Sequence, residues 1–233
     1  MARQGMEDGS GGSDLRLFQA GAWCLKTSLR RRFDDPDAAR AALLRLARAK
    51  SQLGDLLPAD TVLCLSSAPK QGTWLWTVTP WMQTSRAALA AARERSADAL
   101  GQELVAFADA ALAAIELVVR RGVVLDVHPS NFARHRGALA YVDDDIDPGR
   151  RMSGVGHALL QRAHEYAAHP AAVERYVAYL ERELPARWTR SEVERLGLVE
   201  SVVPCTPRSE IAADAKRRLL AALDRCRDVE QIG

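Results

Sequence analysis

Between Ser85 and Arg121 the chain carries an alanine- and leucine-rich run in which Leu100, Leu104, Phe107, Ala111, Ile115 and Val118 recur at helical spacing. Gly122 follows at once, the residue type best suited to the left-handed position just past a helix end. This pattern predicts helix from Ser85 to Arg121. Its apolar stripe has to be covered by other elements, so the second part of the chain must build a helical core around it.

The residues before this run have a different character. Leu15, Leu17 and Phe18, then Ala20-Gly21 and Trp23–Thr27, read as a hairpin. Asp34-Asp35-Pro36-Asp37 is an acidic helix start with proline in the first turn. The spacing predicts a helix from Ala38 to about Leu53, with Leu43, Leu44 and Leu46 as its apolar contacts and Gly54 as its stop. Thr61–Ser66 and Thr73–Thr79 are rich in β-formers, and Ala68–Gly72 supplies the turn of a second hairpin. The order β-β-α-β-β thus accounts for the first 80 residues, and Pro80–Thr84 connects them to the long helix.

Three segments follow: a polar, glycine-rich leader over 1–13, a small β-rich part over 14–83 and a helical part over 84–233. Gly9, Gly11 and Gly12 read as a flexible leader, with a phosphate-covering loop as the alternative. Beyond Gly122 come Val123–Leu125, a polar loop, a turn through Arg136-Gly137 and an apolar strand over Ala138–Val142. After Gly156 the pattern is helical, with breaks expected near Pro185 and across Pro204–Pro207. Asp214–Arg227 reads as an amphipathic helix with Leu219, Leu220 and Leu223 on its buried side.

Charge and cysteine usage narrow the function classes. Thirty-two basic and 30 acidic side chains leave a net charge of +2, which makes no overall case for nucleic acid. No apolar run approaches the roughly 18 residues needed to span a bilayer, so no membrane is expected. Cys24, Cys64, Cys205 and Cys226 are scattered and lack metal-ligand spacing. With no signal-like apolar core at the start, the expected compartment is the cytoplasm. Arg30-Arg31-Arg32 reads as a solvated turn, and the five tryptophans read mostly as core or cleft residues.

Chemistry concentrates in Leu125-Asp126-Val127-His128-Pro129-Ser130-Asn131 and in Ala140-Tyr141-Val142-Asp143-Asp144-Asp145. An aspartate and an asparagine five residues apart on a rigid turn can face one cleft. The carboxylate can orient or deprotonate a hydroxyl, and the amide oxygen can bind a hard cation. A second carboxylate at a strand end completes an oxygen-rich set suited to magnesium and nucleotide phosphates.

Asp126-Val-His-Pro-Ser-Asn131 resembles the D-x-x-x-x-N catalytic loop of the protein-kinase-like superfamily, nearest to its aminoglycoside-phosphotransferase-type branch. The setting is similar too: a long helix, a β-run, the loop, a hairpin and an apolar strand ending in aspartate. The likeness covers about residues 14–160. It implies an α+β bilobal protein-kinase-like fold, with a small β-rich lobe, a helical lobe and a cleft for ATP and Mg2+. By resemblance Asp126 is the catalytic base, and Asn131 and Asp143 are metal ligands, with Asp144 or Asp145 as alternatives to Asp143. Lys26 contacts the nucleotide phosphates, Trp81 and Met82 fall at the adenine hinge, and His128 supports the loop through hydrogen bonds.

The implied reaction is transfer of the γ-phosphate of ATP to a hydroxyl, with a small-molecule acceptor favoured over a protein. The helix after Lys26 has no acid between Ala38 and Gly54 to pair with that lysine, although Asp34, Asp35 and Asp37 lie at its start. That gap favours a catalytically inactive pseudokinase, a binding or regulatory module, as the alternative. A helical interaction protein in which the motif is accidental predicts no small β-rich part.

Overall fold

The computed structural model describes residues 15–144, 146–147 and 154–227. The leader, its glycines and Asp145 lie outside the described residues. The protein is α+β, with an N-terminal antiparallel sheet and a helical C-terminal part. It divides into two compact units: one reaches to Gln83 and takes in Ala140–Asp144, and the other holds Thr84–Leu139 with the remainder.

In the first unit, β1 (Leu15–Ala20) and β2 (Trp23–Ser28) form a hairpin around Ala22, with Leu17 opposite Lys26. Gly21 makes the turn at φ +60°, a conformation that costs a side-chain-bearing residue more. β4 (Val62–Ala68) and β5 (Gly72–Pro80) form the second hairpin. The other edge of β5 carries β2, which puts Lys26 opposite Thr77, and a two-residue strand, β3 (Arg32–Phe33), absent from the β-β-α-β-β reading. Alternation along β5 buries Thr73, Leu75, Thr77 and Thr79 on one face.

Helix α1 (Pro36–Ser51) starts as its acidic turn predicts: Asp35 caps it by accepting from the amides of Asp37 and Ala38 at 3.0 and 3.3 Å. It stops at Ser51, short of Leu53, and a 3-10 turn over Gly54–Leu56 follows. Its buried residues are Ala39 and Lys50, whereas Leu44 is 50% exposed. The expected leucine contact at 44 is therefore wrong. Lys50, in the last turn of the helix, is buried instead, a position that the spacing of the leucines does not predict.

The second unit holds the long helical run, broken in two. Ser96 is fully extended at φ −171°; its amide closes α2 (Ser85–Arg95) and its hydroxyl caps α3 (Ala97–Arg121) by accepting from Ala99 at 3.1 Å. A serine followed by an acid at position 98 is an N-terminal signature that the uniform alanine content hides. Leu100, Leu104, Phe107, Ala111 and Ile115 are buried as the spacing requires, and Gly122 ends the helix at φ +66°.

Beyond it lie β6 (Val124–Leu125), β7 (Phe132–His135), β8 (Ala138–Tyr141) and β9 (Ile146–Asp147), with β6 pairing β9. Helices α4 (Val155–Glu165), α5 (Pro170–Arg187), α6 (Arg190–Arg195), α7 (Leu198–Val202) and α8 (Glu210–Asp224) complete the unit. The break expected at Pro185 does not occur, because α5 runs through it to Arg187. Proline lacks the N–H that would bond the Glu181 carbonyl, and Arg225 donates to that oxygen at 3.3 Å instead. Leu219 and Leu223 of α8 are buried as expected. Of the tryptophans, Trp188 is buried, Trp74 and Trp76 are half-buried, and Trp23 and Trp81 are 43% and 46% exposed. Among the described residues no helix is long and apolar enough to cross a membrane.

Candidate functional site

The first unit brings Lys26 and Asp143 together across 117 residues of sequence. β2 aims Lys26 at the buried face of the sheet, the face to which Thr77 also belongs, and the Lys26 ammonium donates to Asp143 Oδ1. Asp143 sits just past the end of β8, and its side chain keeps 27% of its exposure. Among the described residues its second carboxylate oxygen has no protein partner. That leaves an acceptor-only group with an open position, the kind of donor a hard cation uses.

Asp144 has the opposite character. Its side chain is only 3% exposed; Oδ1 pairs with Lys50 Nζ at 2.6 Å, and Oδ2 with Arg31 Nη1 at 2.7 Å. The Thr77 hydroxyl adds a second contact to Oδ2 at 3.0 Å, and Lys26 lies 3.9 Å from the same oxygen. Burial alone would push this carboxyl up, but Lys26, Lys50 and Arg31 together outweigh it and hold it down at about 2. A dication would meet three cations around this buried carboxylate, and they repel it. Of the two described candidates, Asp143 suits a metal and Asp144 does not.

Arg31 thereby leaves the solvated-turn reading. Its side chain is 18% exposed and serves Asp144, while Arg32 pairs with Asp34 at 3.1 Å and reaches the Gln71 carbonyl at 2.8 Å. Sequence reasoning missed both Arg31 and Lys50. The triple-arginine run hid the first, and the second sits in a helix read for its leucines and its acids. Asp35 is occupied as the cap of α1 and is no partner for Lys26.

Trp81 and Met82 follow β5, where the Trp81 amide donates to the Ala22 carbonyl at 2.7 Å. The Trp81 ring is half-exposed. A tethered backbone with an open indole can stack against a flat ring.

The second unit brings Asp126 and Asn131 together. The Asn131 amide donates to Asp126 Oδ2 at 2.9 Å and to the Asp126 carbonyl at 3.2 Å, closing the loop on itself. Asp126 is exposed, and among the described residues Asn131 Oδ1 keeps only a long 3.4 Å contact from the Ser130 hydroxyl. His128 makes the turn rigid. Its Nδ1 accepts from the Ser130 amide at 3.3 Å and meets the Ser130 hydroxyl at 2.7 Å, capping the 3-10 turn Pro129–Asn131. Partial burial, then the charges of Arg162 and Arg86, keep the imidazole below its usual range, so Nδ1 acts as an acceptor near neutral pH. His128 is a structural brace of the loop in this geometry.

Among the described residues no three His, Cys, Asp or Glu side chains converge as a ready-made metal cage. Magnesium held through nucleotide phosphates needs only one or two protein carboxylates; Asp143 in the first unit is a carboxylate of that type, and the Asn131 amide oxygen in the second is a neutral oxygen donor. No protein-family model matches the chain, and no curated protein matches it either.

Proposed function

We propose that the chain is an ATP- and magnesium-dependent phosphotransferase of protein-kinase-like fold, acting on a hydroxyl acceptor of small-molecule type. The observation that carries this reading is the pairing of Lys26 with Asp143, two residues remote in sequence and expected from their motifs to serve one nucleotide. The closed Asp126–Asn131 loop is the second support.

Each residue has a role that its chemistry suits. Lys26 would leave its carboxylate partner to hold phosphate oxygens, since an ammonium offers three donors and a compact charge. Asp143 and Asn131 would hold Mg2+, which when bound neutralises phosphate charge and orients the transferred group. Asp126, anchored by the Asn131 amide and open to solvent, would orient the acceptor hydroxyl and take its proton. Trp81 and Met82 would contact the base of the nucleotide.

Calorimetry of ATP binding with and without magnesium tests this directly. Wild type should bind in a magnesium-dependent manner, and Asp143→Ala and Lys26→Ala should each lose at least about tenfold in affinity, one charge-assisted contact's worth. Asp126→Ala should still bind ATP and should fail to turn over any acceptor found by screening. A folded wild type that does not bind ATP sinks the reading and leaves a nucleotide-free pseudokinase, with protein partners to be sought.

A further inference from the structure

We propose that Asp144 is a positioning residue: gripped by Lys50 and Arg31, it holds Lys26 and Asp143 in fixed relation to each other. The roles of Lys26 and Asp143 rest on the phosphotransferase reading, but the contacts that couple them to Asp144 do not.

Both oxygens of Asp144 are engaged inside the protein, by Lys50 at 2.6 Å on one side and by Arg31 at 2.7 Å and Thr77 at 3.0 Å on the other. With its side chain 3% exposed it has no free direction for a ligand, so its action must pass through its neighbours. Two routes lead from it to the candidate nucleotide site. Lys50, while paired with Asp144, also donates to the Asp143 backbone carbonyl at 3.3 Å, which ties down the main chain behind the Asp143 carboxylate. Lys26 lies between the two carboxylates, bonded to Asp143 and 3.9 Å from Asp144.

Among the described residues the arrangement sets three cations against two carboxylates, so the position of Lys26 depends on how much of the Asp144 charge Arg31 and Lys50 already take up. Arg31 is itself braced by the Thr77 hydroxyl at 3.2 Å, on the strand next to that of Lys26. A network of this kind, centred on the buried Lys50–Asp144 pair, fixes geometry more firmly than a surface ion pair, whose long side chains have water as an alternative.

The test reads Lys26 without nucleotide. The rate at which acetic anhydride acylates the Lys26 amine, resolved by residue with mass spectrometry, is measured in two folded variants. In the double variant Lys50→Met with Asp144→Asn, Lys26 loses the carboxylate 3.9 Å away, which outweighs the loss of the Lys50 charge held on that carboxylate's other oxygen, and its acylation should speed up at least about threefold. In Arg31→Met, Asp144 keeps its charge but loses one partner. Lys26 is then drawn more tightly, and its acylation should slow by about the same factor. Affinity for ATP with magnesium should fall roughly tenfold in the double variant.

A cluster that merely stabilises the fold would lower the melting temperature and leave both acylation rates at the wild-type value, which overturns the proposal. If the double variant does not fold, Arg31→Met decides: slower acylation supports the positioning role and an unchanged rate overturns it. Because the acylation arm needs no ATP, failure of wild type to bind nucleotide would count against the phosphotransferase reading alone.

Discussion

Lys50 Nζ lies 2.6 Å from Asp144 Oδ1 with the two side chains 4% and 3% exposed, an ion pair almost entirely removed from water. Such a pair is a poor source of net stability but a costly one to break, because deleting one member leaves the other charged, buried and alone. The consequences differ for the two partners. Without Lys50, Asp144 still has Arg31 and Lys26; without Asp144, Lys50 has only the Asp143 carbonyl among the described residues.

Asp144→Asn should therefore be the more damaging change, at about 3–5 kcal/mol, with Lys50→Met nearer 2 kcal/mol. The double variant should cost clearly less than the two single costs added, since the charge stranded by either change is absent when both are made. Urea denaturation of the four proteins gives the cycle. Additive losses would mean that the pair is not coupled.

The same carboxyl sets a pH limit. Its pKa in the folded protein is about 2, with the penalty of burial outweighed by Lys26, Lys50 and Arg31, against about 3.9 in an unfolded chain. A depressed folded value means that the unfolded state takes up the proton first. The contribution is complete above about pH 4 and is lost as pH falls through about 2. Its size is on the order of 2 kcal/mol. Stability against urea measured from pH 5 to pH 2 should decline along this limb in wild type. In Asp144→Asn that part of the decline should be missing.

These residues also show what could be read in advance. The Asp35-Pro36 start of α1, the Gly21 turn and the Gly122 stop are local decisions, made by φ preferences and caps within a few residues. Asp126 and Asn131 are equally local, close enough in sequence for one turn to join them. Lys26 and Asp143 could be named because each sits in a motif with a chemical meaning. Lys50 and Arg31 had no such marker. A lysine in the last turn of a helix is normally explained by the helix dipole, and an arginine run by solvation. Their burial is decided by Asp144, a carboxylate far along the chain, and only the tertiary fold reveals it. Pro185 failed as a helix break for a related reason, since the remote Arg225 takes the carbonyl it leaves open.

Gly156 offers a test of packing in the second unit. It lies in the first turn of α4 against α7, and a Cβ there would come within 3 Å of the Leu198 carbonyl, the Ser201 hydroxyl and the Val202 side chain. Its own amide donates to the Ser201 hydroxyl at 3.0 Å, so the helices cannot part without losing that bond. Two of the obstructing atoms belong to residues held in place by hydrogen bonding, as Ser201 also donates to the Leu198 carbonyl at 2.9 Å. Gly156→Ala, a change that normally favours a helix, should here destabilise by about 2–3 kcal/mol. Thermal unfolding is the measurement, and a neutral or stabilising result would show that the α4–α7 contact is looser than described.

His128 gives the last prediction, because its protonation state and the shape of the Asp126–Asn131 loop are one question. Its Nδ1 accepts from the Ser130 amide at 3.3 Å, which it can do only while that nitrogen is unprotonated. Burial is the largest influence lowering its pKa, followed by Arg162; Arg86 acts in the same direction, while Asp126 and Glu165 oppose them. With the folded value below the unfolded value of about 6.5, the neutral form supports the fold above that pH. The support is lost as pH falls from about 6.5 through the lower folded value. An NMR titration of the His128 ring should give a midpoint below about 6.5. Arg162→Met should move it upward without restoring it fully, because burial remains. Acidification should loosen the loop in step with that titration, seen as a falling protection factor at the Ser130 amide, measured against the intrinsic exchange rate at each pH. A midpoint at or above about 6.5 would mean that His128 carries a proton where the loop needs a lone pair, and its role as a brace would be wrong.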